Sequence, residues 1–234
     1  MDILAYRDGD LELVGELYHP DRQANGRAVL VVHEADGIGG NVRRRCAMLA
    51  SLGYVALAAD MHGGRRVLEG EEMAAAMARF KSDPVLLRTR VRAGLDALRS
   101  ASGSAPDRTA AIGYCFGGLA VLELARSGAA LAAVASFHGI LTTAAPAEPA
   151  AIQARVLACT GALDPLVPLA DITAFQAEMT CASADWQLIV YGRALHSFTN
   201  SGVATLDDPR MAYDEEADRQ SWAALHSFLE PSFG

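Results

Sequence analysis

The chain has 234 residues, 51% hydrophobic and 21% charged, with a formal net charge of −8. That length suits one domain spanning residues 1–234 around a single large core. The acidic balance excludes a general basic surface for nucleic acid or anionic membrane and points to a small-molecule partner. No run approaches the ~18 apolar residues of a membrane span.

Taken in chain order, residues 3–18 alternate around "RDGD", which predicts an opening β-hairpin with Asp8-Gly9 in the turn. The segment "MDILAYRDGD" lacks the basic-then-apolar pattern of a secretory leader, so a cytoplasmic location is expected. "AVLVVH" at 28–33 is a continuous apolar run of the kind buried on both faces of a parallel sheet. A helix follows over "NVRRRCAMLASLG", with Arg43, Arg44 and Arg45 read as its solvent face and Gly53 as its stop. "YVALAAD" at 54–60 completes a βαβ unit. A long helix starts at Pro84, capped by Asp83 or Ser82.

The third core strand is "RTAAIGY" at 108–114, and "GGLAVLELARSG" is the helix leaving it. Strands follow at 131–138, 155–161 and 186–191, with helices near 169–181 and 214–229 and irregular loops at 141–151 and 201–213. This alternation predicts an α/β fold, a mainly parallel sheet with helices on both faces. The four cysteines show no CxxC spacing and are read as free thiols, with Cys46, Cys159 and Cys181 as small buried hydrophobes.

Cys115 has a different setting. "GYCFGG" places it between a strand and a helix with Gly113 and Gly117 two residues to either side, the spacing of a nucleophile elbow. A phosphate-binding loop would need more glycine and a lysine. The elbow lifts the thiol beyond the carboxyl end of the sheet and aims a helix N-terminus at it, which favours the reactive thiolate. An acid and a histidine then follow in hydrolase order, Asp164 in "TGALDPLVP" and His196 in "YGRALHSF", each just past a strand. In this reading His196 shuttles protons and Asp164 fixes its tautomer. The N–H groups of Phe116 and of Ala35, in the loop after the first core strand, would form an oxyanion hole.

His19 and His226 need no role, one by a turn and the other in the last helix. His33, His62 and His138 all fall at predicted strand ends and are expected to line the substrate pocket. With Asp60 they could bind a metal, but no H-x-H or H-E-x-x-H spacing occurs, so neither metal nor other cofactor is expected.

These residues resemble the dienelactone hydrolases, a cysteine-nucleophile branch of the α/β-hydrolase fold. The resemblance rests on "GYCFGG", "DPLVP", "HSF" and "VVHEADGIGGNVR" and runs over almost the whole chain. It implies a fourth catalytic group, Glu34, which in the family exchanges a proton with the thiol as substrate arrives. Family members acting on dienelactone carry an arginine four residues beyond the histidine to grip the substrate carboxylate; here that position is Asn200. Ahead of the long helix, where they have an arginine and aromatic residues, this chain has "EGEEMAAAMARF", whose Met73 and Met77 suggest an adaptable apolar wall. Phe198 is a further pocket candidate, and Arg65 and Arg66 could supply replacement charge. The expectation is an esterase or lactonase for neutral, fairly apolar substrates, working through a thioester. Hydrolysis of activated aryl phosphotriesters by the same thiol is the alternative, and a redox sensor or small-molecule binding protein without turnover is the rival from another class.

Overall fold

The computed structural model describes residues 1–20 and 23–233. Strands β1 (Asp2–Asp8) and β2 (Leu11–Tyr18) form the opening hairpin, with Asp8 paired to Leu11. Its turn is therefore Gly9-Asp10, one residue beyond the expected position, with Gly9 supplying the positive φ of 58°. Strand β3 (Ala28–Val32) is followed by helix α1 (Gly40–Ser51) and strand β4 (Val55–Ala59). Helix α2 (Gly70–Ser82) leads into α3 (Pro84–Ser102), where the Asp83 carboxylate accepts the Leu86 N–H at 3.0 Å, so Asp83 is the cap. Then come β5 (Thr109–Tyr114), α4 (Phe116–Arg126), β6 (Ala133–Phe137), β7 (Arg155–Gly161), α5 (Leu169–Cys181), β8 (Trp186–Tyr191) and α6 (Glu215–Leu229).

The eight strands form one sheet in the order β1-β2-β4-β3-β5-β6-β7-β8, parallel from β4 to β8 with the hairpin added antiparallel at one edge. All five residues of β3 are buried, because both faces of the sheet are covered. Leu30 and Val32 pack with α3, α4 and α5 on one side, while Val29 and Val31 pack with α1 and α6 on the other. The chain runs from β3 outward to β4, then returns to place β5 on the other side of β3. That reversal opens a crevice beyond the carboxyl ends of β3 and β5, where loops leave in opposite directions. Among the described residues no helix is long and apolar enough to cross a membrane.

Two local readings are corrected. The run Arg43–Arg45 is a solvent face only at Arg43, which is exposed while it pairs with buried Glu16; Arg44 reaches the crevice, and Arg45 is buried against Asp218 and the rings of Tyr114 and Trp222. A charge survives burial there because it is paired and stacked. Cys181, at the end of α5, is exposed, whereas Cys46 and Cys159 are buried; all four cysteines are free.

Candidate functional site

The elbow is made by close backbone approach. A Cβ on Gly113 would sit 1.9 Å from Gly117 O, and one on Gly117 would sit 2.2 Å from Val32 O. Only glycine lets the first turn of α4 lie against the ends of β3 and β5. Cys115, between them, has φ 53° and ψ −115°, a conformation that costs a non-glycine residue of order 1–3 kcal/mol. Its N–H donates to Phe137 O at 3.0 Å and to His138 Nδ1 at 3.1 Å, and its carbonyl accepts the Gly118 N–H at 2.9 Å. These bonds hold the thiol at the head of α4.

Two residues from distant parts of the chain meet it. His196 Nε2 lies 3.1 Å from Cys115 Sγ, and His196 Nδ1 lies 2.8 Å from Asp164 Oδ2. The other oxygen of Asp164 accepts the Leu166 N–H at 2.8 Å, fixing the carboxylate plane. The His196 backbone bonds to Arg210 O and receives the Ala212 N–H, so the 197–211 loop closes back on it. Burial alone would lower the His196 pKa, but the Cys115 sulfur and the Asp164 carboxylate outweigh it and raise it to about 10. Both partners thus favour the charged imidazole, with one ring nitrogen facing the sulfur and the other the carboxylate.

Glu34 follows β3 and lines the same crevice as Cys115. Its Oε1 accepts from Asn41 Nδ2 at 3.3 Å and Asn200 Nδ2 at 3.1 Å. Among the described residues no hydrogen bond joins it to Cys115 or His196. Burial, with the nearby Asp36 charge, raises its pKa to about 7 against the pull of the two amides and of His196. The folded protein thus holds the Glu34 proton in a range where the unfolded chain has released it. Stability contributed by the neutral carboxyl is present below about pH 4.5 and is lost as pH rises toward 7, a penalty of about 3 kcal/mol at pH 8. Glu34→Gln keeps the acceptor for both amides and removes the charge. Its melting temperature is expected to exceed the wild type's by several degrees at pH 8 and to match it near pH 4.5; an equal difference at both values would refute the assignment.

The crevice has a volume of about 520 Å³. Glu34, Ala35, Met73, Cys115 and Asn200 line it, together with Asp36, Asn41, Arg44, Ser197, Leu206 and Met211. The N–H groups of Ala35 and Phe116 have no acceptor among the described residues, as the first turn of a helix and an open loop allow.

Other expected pocket residues lie behind this wall. His33, His138 and Phe198 are fully buried, and Met77 packs on the core instead. His138 accepts the Cys115 N–H through Nδ1 and meets Thr199 Oγ1 at 2.8 Å, so it braces the elbow. Phe198 meets the His138 ring edge-on and packs at a tilt against Tyr191. His62 lines a separate cavity of about 370 Å³ between α2 and the hairpin, together with Arg66 and Phe80. Arg65 is tied to Glu16 and Arg66 to Glu72, both away from the thiol. Asp60 accepts the N–H groups of Val14, His62, Gly63 and Arg65. Among the described residues no group of three or more His, Cys, Asp or Glu is placed to hold a metal ion.

Asn41, Thr199 and Arg44 were missed by sequence reasoning. Thr199 links His138 to Asn41, and the Thr199 carbonyl accepts from Arg44 at 2.7 Å and Arg45 at 3.1 Å. The signal was the Gly-Gly-Asn step at the head of α1, which directs an amide into the crevice rather than merely starting a helix.

The profile of the dienelactone hydrolase family matches residues 13–233. The chain belongs to this family. Among solved structures, m3DLH is 38% identical, with a TM-score of 0.93 over 100% of this chain and 98% of its own. A dienelactone hydrolase-like promiscuous phosphotriesterase from metagenomic libraries is 35% identical, with a TM-score of 0.91 over the same shares. An uncharacterised Caenorhabditis elegans protein is 34% identical over 152 residues, 63% of this chain and 94% of that relative. Membership in the dienelactone hydrolase family accounts for the α/β-hydrolase fold and makes the protein a hydrolase-type enzyme.

Proposed function

We propose that the protein hydrolyses neutral, fairly apolar carboxylic esters or lactones, with Cys115 as nucleophile, His196 as proton shuttle, Asp164 as its partner and Glu34 as an auxiliary acid–base group. The observation that carries this reading is the chain of contacts Cys115–His196–Asp164 opening into a cavity of substrate size. The thiolate at the head of α4 attacks the carbonyl carbon, and the oxyanion is received by the N–H groups of Ala35 and Phe116. His196 then gives its Nε2 proton to the departing alkoxide, leaving a thioester. Once the sulfur is acylated its charge is gone, and with it the largest influence raising the His196 pKa. The neutral imidazole that results is the base that activates water for deacylation.

Substrate neutrality rests on the cavity's charges. Among the described residues Arg44 is its one basic lining residue, and its guanidinium already bonds Asp218, Thr199 O and Asn41 Oδ1. Asn200, where a carboxylate grip would stand, is engaged with Glu34. An activated aryl phosphotriester is the second reading, favoured by the 35% identical neighbour of that activity. The four free thiols support a cytoplasmic location.

The test is mass spectrometry of the protein mixed with a slowly deacylating p-nitrophenyl ester, alongside turnover of p-nitrophenyl esters, lactones and aryl dialkyl phosphates. An acyl adduct on the peptide carrying Cys115, released by hydroxylamine, is the expected result. Turnover without an adduct on that peptide would remove the thioester, and a kcat/KM higher for the phosphotriester would reverse the order of the two readings.

A further inference from the structure

Two of the histidines that the crevice excludes, His33 and His62, grip consecutive carbonyls of the loop after β3. The Met61 N–H donates to His33 Nε2 at 3.1 Å, and a backbone N–H can only donate. Nε2 therefore carries the lone pair, Nδ1 carries the proton, and Nδ1–H donates to the Glu34 carbonyl. The Gly37 N–H reaches the same oxygen at 3.3 Å. One peptide further on, His62 Nε2–H donates to the Ala35 carbonyl at 2.9 Å. The two rings lie 4.8 Å apart, and both pack near Phe116, His62 stacked on its ring and His33 tilted to it; the Phe116 N–H heads α4.

In a trans peptide the C=O and N–H point in opposite directions across one plane. The carbonyl of Glu34 and the N–H of Ala35 belong to the same peptide, so anchoring the first on the buried side turns the second outward. We propose that His33 is a positioning residue for the oxyanion hole, its Nδ1–H holding the Glu34 carbonyl so that the Ala35 N–H faces the cavity, with His62 as a second clamp one peptide on. The inference rests on the proposed role of Ala35 in the hydrolase reading. Burial lowers the pKa of both rings, that of His33 to about 4, and a neutral His33 is what the Met61 N–H requires of Nε2. Preorganisation of this kind matters because a donor aimed in advance costs no reorganisation when charge develops on the substrate oxygen.

Two substitutions separate the ring's two bonds. His33→Gln places an amide oxygen where Nε2 accepts from Met61 but leaves nothing at the Nδ1 position, whereas His33→Asn keeps a donor there. Each variant is assayed for p-nitrophenyl acetate hydrolysis and for Cys115 alkylation by iodoacetamide. Alkylation joins the thiolate sulfur to the CH2 carbon and expels iodide, after which the His196 imidazolium can release its proton to solvent; it develops no oxyanion, so it reports the thiolate and imidazole alone. The expected result is a kcat roughly 10- to 100-fold lower in His33→Gln with KM and alkylation within about twofold, and a kcat within about threefold of wild type in His33→Asn. Alkylation falling in step with kcat, or equal kcat in the two variants, would overturn the proposal. If His33→Gln fails to fold, His62→Phe, which deletes the donor to Ala35, is expected to show the same split and its absence is equally fatal. Undiminished turnover in Cys115→Ala, run as a separate control, would instead remove the nucleophile reading beneath it.

Discussion

Cys115→Ala is expected to lose at least about 10⁴-fold in kcat/KM on activated esters, with the fold intact. The magnitude follows from the geometry: no other cysteine lines the cavity, and Cys46 and Cys159 are buried in the core. Alanine occupies the same strained elbow position, so stability changes little beyond loss of the sulfur's contact with His196. The substitution also has a spectroscopic consequence. Because the Cys115 sulfur makes the largest contribution that raises the His196 pKa, its removal should lower the His196 titration relative to wild type, followed by NMR of the ring protons. A variant retaining more than a tenth of wild-type turnover would mean that some other group attacks the substrate.

The largest loss of stability is expected from Gly113→Ala. The added methyl would stand 1.9 Å from Gly117 O and 2.2 Å from Gly117 C, both backbone atoms of the first turn of α4. A side chain could swing aside, but this helix cannot: all eleven of its residues are buried between β5, α3 and the sheet. Relief requires lifting α4 from the sheet, so the cost should reach or exceed the upper end of overpacking penalties, about 3 kcal/mol. Gly40→Ala is the matched control, since a Cβ there meets nothing within 4 Å and falls at the start of α1; its urea midpoint should stay close to wild type. Similar midpoints for the two variants would show that the elbow tolerates more room than its packing implies.

Much of the architecture could be read along the chain because it depends on local pattern. Runs such as "AVLVV" and "TAAIGY" are apolar throughout, since both faces of the sheet are covered, and the intervening helices repeat their apolar residues at the period that matches one buried side. The elbow was legible for a similar reason: Gly113 and Gly117 answer a clash between segments four residues apart, and that spacing is visible without the rest of the molecule. The hairpin turn slipped by one residue because Asp8-Gly9 and Gly9-Asp10 are both sound turn pairs, and cross-strand register chose between them.

Sequence by itself thus determined the α/β class, the bend that carries Cys115 and the order in which Asp164 and His196 follow it. Tertiary structure alone decided which strand-end groups reach the crevice. His33, His62 and His138 looked equivalent in sequence, yet their directions are set by acceptors and donors on other segments, such as Met61 N, Ala35 O and Thr199 Oγ1. The adjacent Arg43, Arg44 and Arg45 diverge likewise, because Glu16 and Asp218 wait at different points around α1. Local pattern encodes what a residue does to its own backbone; where its polar atoms go depends on partners as many as 203 positions away, and only folding brings those together.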